Sequence, residues 1–418
     1  MAGKTHQAQR IKDDVLVVGI DIAKRGHMAV CRRPDGRRSK AFFFGNDRSG
    51  FEKLIDRSEA TKQHSGCRSV LFALEATGHY GQALRQFLAE REYGVVGINP
   101  AHTKKVKELD DNSPEKSDSK DAGVIADLAA NGRGRLIVLP RGVFADLRRL
   151  GKLRERLVRD RTRVCNRYHG LIDLVFPELA GIVRNVACRS IQRLFAECPT
   201  VEAIAALSHA ELDSRLSRWS RRRLERDRIA AIYRAAKTTV GLREGLAAVR
   251  LELRQTLESL QQLNHRMGEV EQAQKIALHS VSYADLLLSI PNLGPITVAT
   301  VLGETGDLRM YRNADAVIKF AGYNLYTMSS GTFRGKTRIT KRGRPLLRRY
   351  LFLAALRLSR KQAPLRGFHQ RMAGRKAGPQ IAVAGARKLL RLMVALVRDE
   401  VPYEAGRLAV ELKTASAA

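Results

Sequence analysis

The strongest constraint on the fold is a series of short apolar, β-branched runs in the first third of the chain, broken by turns and ended by acids. Val15-Leu16-Val17-Val18-Gly19-Ile20 reads as a buried strand, and Asp21 stands at its end. His27 to Arg32 and Lys40 to Phe44 read as further strands. Pro34-Asp35-Gly36 turns the chain between them, because Pro presets φ and Gly tolerates positive φ. Phe51 to Ala60 has helical spacing, and Val70 to Leu74 is another buried strand followed directly by Glu75. His79 to Arg91 then reads as a helix and Tyr93 to Ile98 as a strand. Three adjacent strands followed by alternating helices and strands make this region α/β.

Lys116-Ser117-Asp118-Ser119-Lys120-Asp121-Ala122 opens an apolar helix running through Leu128. Asp118 and Asp121 are three apart and share a helix face. Taken alone, acids at a helix start serve as caps and complement the dipole. Together with Asp21 and Glu75 they give four carboxylates, from two strand ends and one helix face, that can converge on a divalent cation. Hard oxygen donors suit Mg²⁺ or Mn²⁺.

The remainder of the chain is helical and basic. The net charge is +33 over 418 residues, which favours a polyanionic partner, nucleic acid before a membrane surface. No run of 18 apolar residues spans a bilayer, and the first residues, MAGKTHQAQRIKDD, lack the apolar stretch of a signal peptide. Five cysteines stand without zinc-type spacing and read as reduced thiols of a cytoplasmic protein. Phe144 to Phe176 carries a leucine stripe and a face of arginines, either solvated or tracking a nucleic-acid backbone, and Pro177 closes it. Residues 178–240 are helical and arginine-rich, above all from Arg215 to Arg228. Leu242 to Val270 repeats apolar residues at threes and fours, a coiled-coil period. The helix it predicts, from about 243 to 278, folds back on the Phe144–Phe176 helix or pairs between subunits.

Leu287 to Thr297, with its Leu-Gly-Pro turn, resembles a helix-hairpin-helix, and Met310 to Ala321 reads as a helix. It leads into Gly322–Tyr350, where Ser329 and Ser330 precede Arg334, Lys336, Arg338, Lys341, Arg342, Arg344, Arg348 and Arg349. A hydroxyl beside that charge suits phosphate, either gripped or attacked. Leu346 to Leu358 and Ile381 to Val397 read as basic amphipathic helices.

GIDIAKRG, LEATGHYG and KSDSKDAGVIADLAANG resemble the RuvC-like DEDD domains of insertion-sequence transposases of the IS one-ten group, bridge-RNA-guided recombinases related to Piv-type invertases. SIPNLGPITVATVLGETGD, FAGYN, SSG and ITKRGRPLLRRYLFLAA resemble the group's serine transposase domain. One local departure is a missing Pro after Gly322.

The resemblance implies an RNase H-like (RuvC-like) domain at 14–140, a helical coiled-coil linker at 141–280, a mainly helical serine transposase domain at 281–402 and a tail at 403–418. It assigns metal binding and catalysis to Asp21, Glu75, Asp118 and Asp121, and the nucleophile to Ser330, with Ser329 as the fallback. It implies donor and target DNA chosen through a structured bridge RNA, and a homo-oligomer, dimer to tetramer, whose site joins the acids of one subunit to the serine of another. The place of action would be the bacterial cytoplasm, at the nucleoid. The rivals are an invertase that reads DNA directly, a metal-dependent nuclease with an idle serine, and a non-catalytic nucleic-acid-binding protein.

Overall fold

The computed structural model describes residues 14–75, 78–110, 118–137, 139–330, 333–360 and 364–405. The chain divides into two compact units that meet in sequence at Arg141 and Gly142.

The first unit is a six-stranded mixed sheet with helices on both faces. Its strands are β1 (Val15–Ile22), β2 (Gly26–Arg32), β3 (Phe42–Gly45), β4 (Ser69–Glu75), β5 (Gly94–Ile98) and β6 (Arg135–Leu136), in the order β3-β2-β1-β4-β5-β6. The β1–β2 and β2–β3 pairs are antiparallel, β1–β4 and β4–β5 parallel, and β5–β6 antiparallel. Four helices complete the unit: α1 (Arg48–His64), α2 (Gln82–Glu90), α3 (Pro100–Asp110) and α4 (Asp118–Ala130).

The period-two alternation of β1 and β4 sorts their side chains into two cores. Leu16, Val18, Ile20, Phe72 and Leu74 pack with Phe51, Leu54, Leu84 and Leu88 of α1 and α2. Val17 and Ala73 pack on the opposite face with Ile125, Ala126 and Ala129 of α4. α1 starts where Asp47 caps it, its side chain accepting the Gly50 N–H at 2.8 Å.

Among the described residues the second unit is helical apart from one small ribbon whose legs pair at two places. α5 (Val143–Val175) is followed by α6 (Leu179–Ile182), α7 (Arg189–Glu197), α8 (Val201–Ala205), α9 (His209–Ser220) and α10 (Arg226–Thr238). The chain returns along α11 (Leu246–His279), which lies antiparallel on α5. Arg154 Nε bonds Glu271 Oε1 at 2.8 Å, and seven residues further on Arg161 Nε bonds Asn264 Oδ1 at 2.8 Å, seven residues back. Of the two expectations for α11, the structure therefore shows the fold-back on the Phe144–Phe176 helix of its own chain. Helices α6 to α10 build one core with the ends of α5 and α11, through Phe176, Leu194, Phe195, Leu212, Leu216, Ile229 and Ile232.

α12 (Ala284–Leu288), α13 (Pro295–Thr305), α14 (Ala314–Ala321), α15 (Pro345–Leu358), α16 (Arg366–Met372) and α17 (Gly378–Asp399) follow. Nine residues of α13 are buried, and a Cβ on Gly303 would lie 2.8 Å from the Leu147 carbonyl oxygen, so this glycine lets α13 and α5 touch backbone to backbone. One boundary is corrected here. The helix expected from Met310 starts at Ala314, because Asn313 in extended conformation accepts the Ala316 N–H and caps it. The amphipathic helix expected from Ile381 to Val397 is α17, and twelve of its residues are buried.

Candidate active site

β1 and β4 pair in parallel with Ile20 opposite Leu74, so Asp21 and Glu75 follow side by side at the ends of neighbouring strands. Alternation assigns Asp21 to the face of Val17 and Gly19, and Glu75 to the face of Ala73, which is the face that α4 covers. Both carboxylates are half-buried.

Gly19 is where the helix comes down onto the sheet. A Cβ there would stand 2.1 Å from the Ala122 carbonyl oxygen and 2.5 Å from the Ala126 nitrogen, so only glycine permits the approach. Asp121 directly precedes Ala122 and is half-buried. Further along α4, Asp127 accepts Arg32 Nε at 2.7 Å and also pairs with Arg38. Arg32 sits opposite Val17, so the helix runs against the direction of β1. Its first turn, with Asp118 and Asp121, therefore lies toward the Asp21 end of the strand. The side chain of Asp118 lies outside the described residues.

Two residues that sequence patterning did not select support this cluster. The hydroxyl of Thr103, buried on α3, donates to Glu75 Oε1 at 2.5 Å, and Arg85 Nη2 donates to the Glu75 carbonyl oxygen at 3.1 Å. Nothing in the sequence links Thr103 to Glu75, which lies 28 positions away. Gly19 did carry a signal, since a lone glycine inside an apolar strand marks a close backbone approach.

His27, opposite Ile22, is 1% exposed, and its Nδ1 accepts the Ala23 N–H at 3.2 Å. Burial pulls its pKa below the ordinary histidine value, so the ring is neutral. The candidate donors Asp21, Glu75, Asp118 and Asp121 are all carboxylates, chemistry that suits a hard divalent cation. Among the described residues no three Asp, Glu, His or Cys side chains stand at metal-ligand spacing.

In the second unit Ser330 is carried on a ribbon. β7 (Leu325–Tyr326) pairs with β10 (Arg338–Ile339), and nearer the tip β8 (Ser329–Ser330) pairs with β9 (Phe333–Arg334). Between the two pairings the first leg has two residues, 327–328, and the second has three, 335–337, so the second leg carries a bulge. The Gly335 N–H donates to the Met328 carbonyl at 2.9 Å, and the Thr327 and Thr337 hydroxyls bond at 2.8 Å.

The ribbon's base is pinned by two glycines. Gly322 has φ +78°, and a Cβ on Gly343 would lie 2.3 Å from the Phe320 carbonyl oxygen. Ser330 is exposed, as are Leu325, Tyr326 and Met328.

The eight basic residues expected to contact nucleic acid separate into groups. Lys336, Arg338, Lys341 and Arg342 are exposed on or beside the ribbon. Arg344 stacks over the Phe320 ring, Arg348 Nη1 donates to the Ala321 carbonyl at 2.9 Å, and Arg349 Nη1 bonds Glu155 Oε1 at 2.6 Å. The last three hold α15 against its neighbours. The Arg334 side chain lies outside the described residues. On α5, Arg154, Arg159 and Arg163 are likewise engaged, with Glu271, Glu155 and Asp160.

Residues 18–177 match the DEDD transposase family of IS110, and residues 284–370 match the transposase family IS116/IS110/IS902. Over 394 residues the chain is 25% identical to an uncharacterized 44.8 kDa protein of insertion element IS116 from Streptomyces clavuligerus, covering 93% of this chain and 96% of that protein. It is 27% identical over 338 residues to a mini-circle putative transposase for IS117 from Streptomyces coelicolor, covering 76% and 79%. Over 357 residues it is 23% identical to a transposase for insertion sequence element IS1111A from Coxiella burnetii, covering 84% and 80%.

Proposed function

Because the chain belongs to the IS110/IS116 group of DEDD transposases, we propose that it cuts and rejoins DNA through a phosphoserine at Ser330, assisted by the acids of an RNase H-like domain. The observation that carries this reading is the pairing of Ile20 with Leu74, which leaves Asp21 and Glu75 adjacent beneath the glycine-seated start of α4. The strand order, with an antiparallel meander beside parallel β4 and β5, supports an RNase H-like domain at 14–140. A helical linker at 141–280, a serine domain at 281–402 and a tail at 403–418 complete the division.

In this chemistry the Ser330 Oγ attacks a DNA phosphorus and a deoxyribose oxygen leaves, taking up the proton that the serine gives up. The phosphodiester is exchanged for a phosphoserine ester, so a second DNA hydroxyl can reverse the step and reseal a new junction. Serine is a weak nucleophile and needs help to lose its proton. Lys336, Arg338, Lys341 and Arg342 on the ribbon stabilise negative charge on the phosphate as it is attacked. Asp21, Glu75, Asp118 and Asp121 would hold Mg²⁺ or Mn²⁺. Such an ion polarises phosphate oxygens and lowers the pKa of a bound hydroxyl. Thr103 keeps the Glu75 carboxylate in one rotamer.

The resemblance to the group implies that the acids of one subunit meet the serine of another, and the complete site is proposed to form in this way in a tetramer. DNA choice would rest on pairing with a bridge RNA.

Denaturing gels of protein incubated with labelled DNA and Mg²⁺ test the reading. A covalent adduct is expected from the wild type and from Ser329→Ala, and none from Ser330→Ala. Asp118→Asn is expected to halt strand transfer. An adduct that survives Ser330→Ala overturns the nucleophile.

A further inference from the structure

Outside the proposed site, one turn gathers five arginines within nine residues. α9 ends and α10 begins around Arg218, Arg221, Arg222, Arg223 and Arg226, all exposed. Some guanidiniums of this unit are tied to acids, as those of Arg154, Arg159 and Arg349 are, and other exposed ones stand singly. No ion pair or side-chain hydrogen bond within the described residues engages these five. The nearby acids are Glu225, which is bonded to Arg228 at 3.2 Å, and Asp227 in the first turn of α10.

The backbone of the turn sharpens the point. Arg221 and Arg222 both have positive φ, +53° and +57°, in the left-handed region where a helix end usually places glycine. The Arg222 N–H closes the helix on the Ser217 carbonyl at 2.8 Å, a bond that glycine would make equally well. One cation there complements the helix dipole, but the fold has no use for three consecutive arginines, two of them in a conformation that disfavours a side chain. Leu224, the only apolar residue among 221–226, is half-buried, so the turn lacks the apolar anchor on which protein partners dock. What it presents is positive charge on a rigid helical pair seated on the Leu212–Leu216–Ile229–Ile232 core.

We infer that the α9–α10 turn grips the sugar-phosphate backbone of duplex DNA, at a distance in sequence from both the acids and the serine. Such contacts fix register and orientation without reading bases. This inference depends on the chain acting on DNA and stands apart from the identity of the nucleophile.

The test is the salt dependence of binding by the full chain to a DNA duplex, followed by fluorescence anisotropy. Replacing three phosphate contacts, in R221G/R222G/R223S, should flatten the slope of log K against log salt by up to about 2.7, at about 0.9 per contact, and weaken binding about tenfold or more. Because glycine suits positions 221 and 222, the variant should melt no lower than the wild type. R221K/R222K/R223K should keep the slope. The inference is overturned by an unchanged slope in the folded glycine variant, or by equal flattening in R243A/R250A/R266A, which removes three exposed arginines flanking or on α11. A loss confined to RNA duplexes, with DNA binding intact, overturns it as well.

Discussion

Replacing Gly19 by Ala adds a single methyl group at the point where α4 rests on the sheet. The new Cβ would lie 2.1 Å from the Ala122 carbonyl oxygen and 2.5 Å from the Ala126 nitrogen, where ordinary contact begins at 3.4 Å. Both neighbours are helix backbone, so no side chain can swing away, and the helix must retreat by about 1.3 Å. The far end of α4 is tied down by Asp127 to Arg32 and Arg38, so the helix pivots and its first turn moves most. Overpacking of this kind costs about 1–3 kcal/mol. For a unit of this size that corresponds to a fall in Tm of roughly 3–12 °C. Because the first turn carries Asp118 and Asp121, a displacement of about 1 Å should slow strand transfer on the order of 100-fold. Differential scanning fluorimetry and a plasmid recombination assay well below the melting temperature read the two effects separately. A variant that melts lower but recombines at the wild-type rate would refute the link between helix seating and the acids. One unchanged in both would refute the packing argument itself.

Thr103→Val removes the hydroxyl on Glu75 while keeping shape. Losing a hydrogen bond to a charged group is worth about 1.5–3 kcal/mol, so the Mg²⁺ concentration for half-maximal strand transfer should rise about tenfold, and recovery at high Mg²⁺ separates positioning from chemistry. Arg154→Met strands Glu271 and the Tyr350 hydroxyl. With Glu271 partly exposed and Tyr350 buried, about 1–3 kcal/mol of stability should go, whereas the salt slope of DNA binding should stay at its wild-type value; a flatter slope would make Arg154 a phosphate contact after all. His27 has a folded pKa below its ordinary value. Its contribution is whole above the unfolded pKa of about 6.5 and is lost as the pH falls toward the folded pKa, because the unfolded chain takes up a proton that the fold refuses. Thermal melts from pH 7.5 to 5 should therefore decline less in His27→Leu than in the wild type.

The strands β1 to β5 were all legible in the sequence, most plainly the two that are buried on both faces. Val15–Ile20 and Val70–Leu74 are apolar throughout because helices cover them from either side. β6 is two exposed residues and has no pattern to read. PAHTKKVKELD forms α3 with little apolar stripe, so the helix that carries Thr103 was hidden. The Ser330 ribbon reads as a basic loop, since its strands are two residues long and a bulge interrupts their alternation. Arginines misled for another reason. Arg349 looks like the residues around it, and only a buried Glu155, 194 positions earlier, makes it structural. The acids Asp21, Glu75 and Asp121 could be assigned to strand ends and a helix start, whereas the seating of that helix depends on a tertiary contact at Gly19.

The ribbon that carries Ser330 also has a thermodynamic consequence. Two strands with Leu325, Tyr326 and Met328 turned to water gain little by ordering alone. Their order becomes firm only when something lies against them. Were Ser330 the nucleophile proposed above, its hydroxyl would be aimed only once DNA or another part of the assembled complex lay against the arm, and a chain that had bound nothing would cut little.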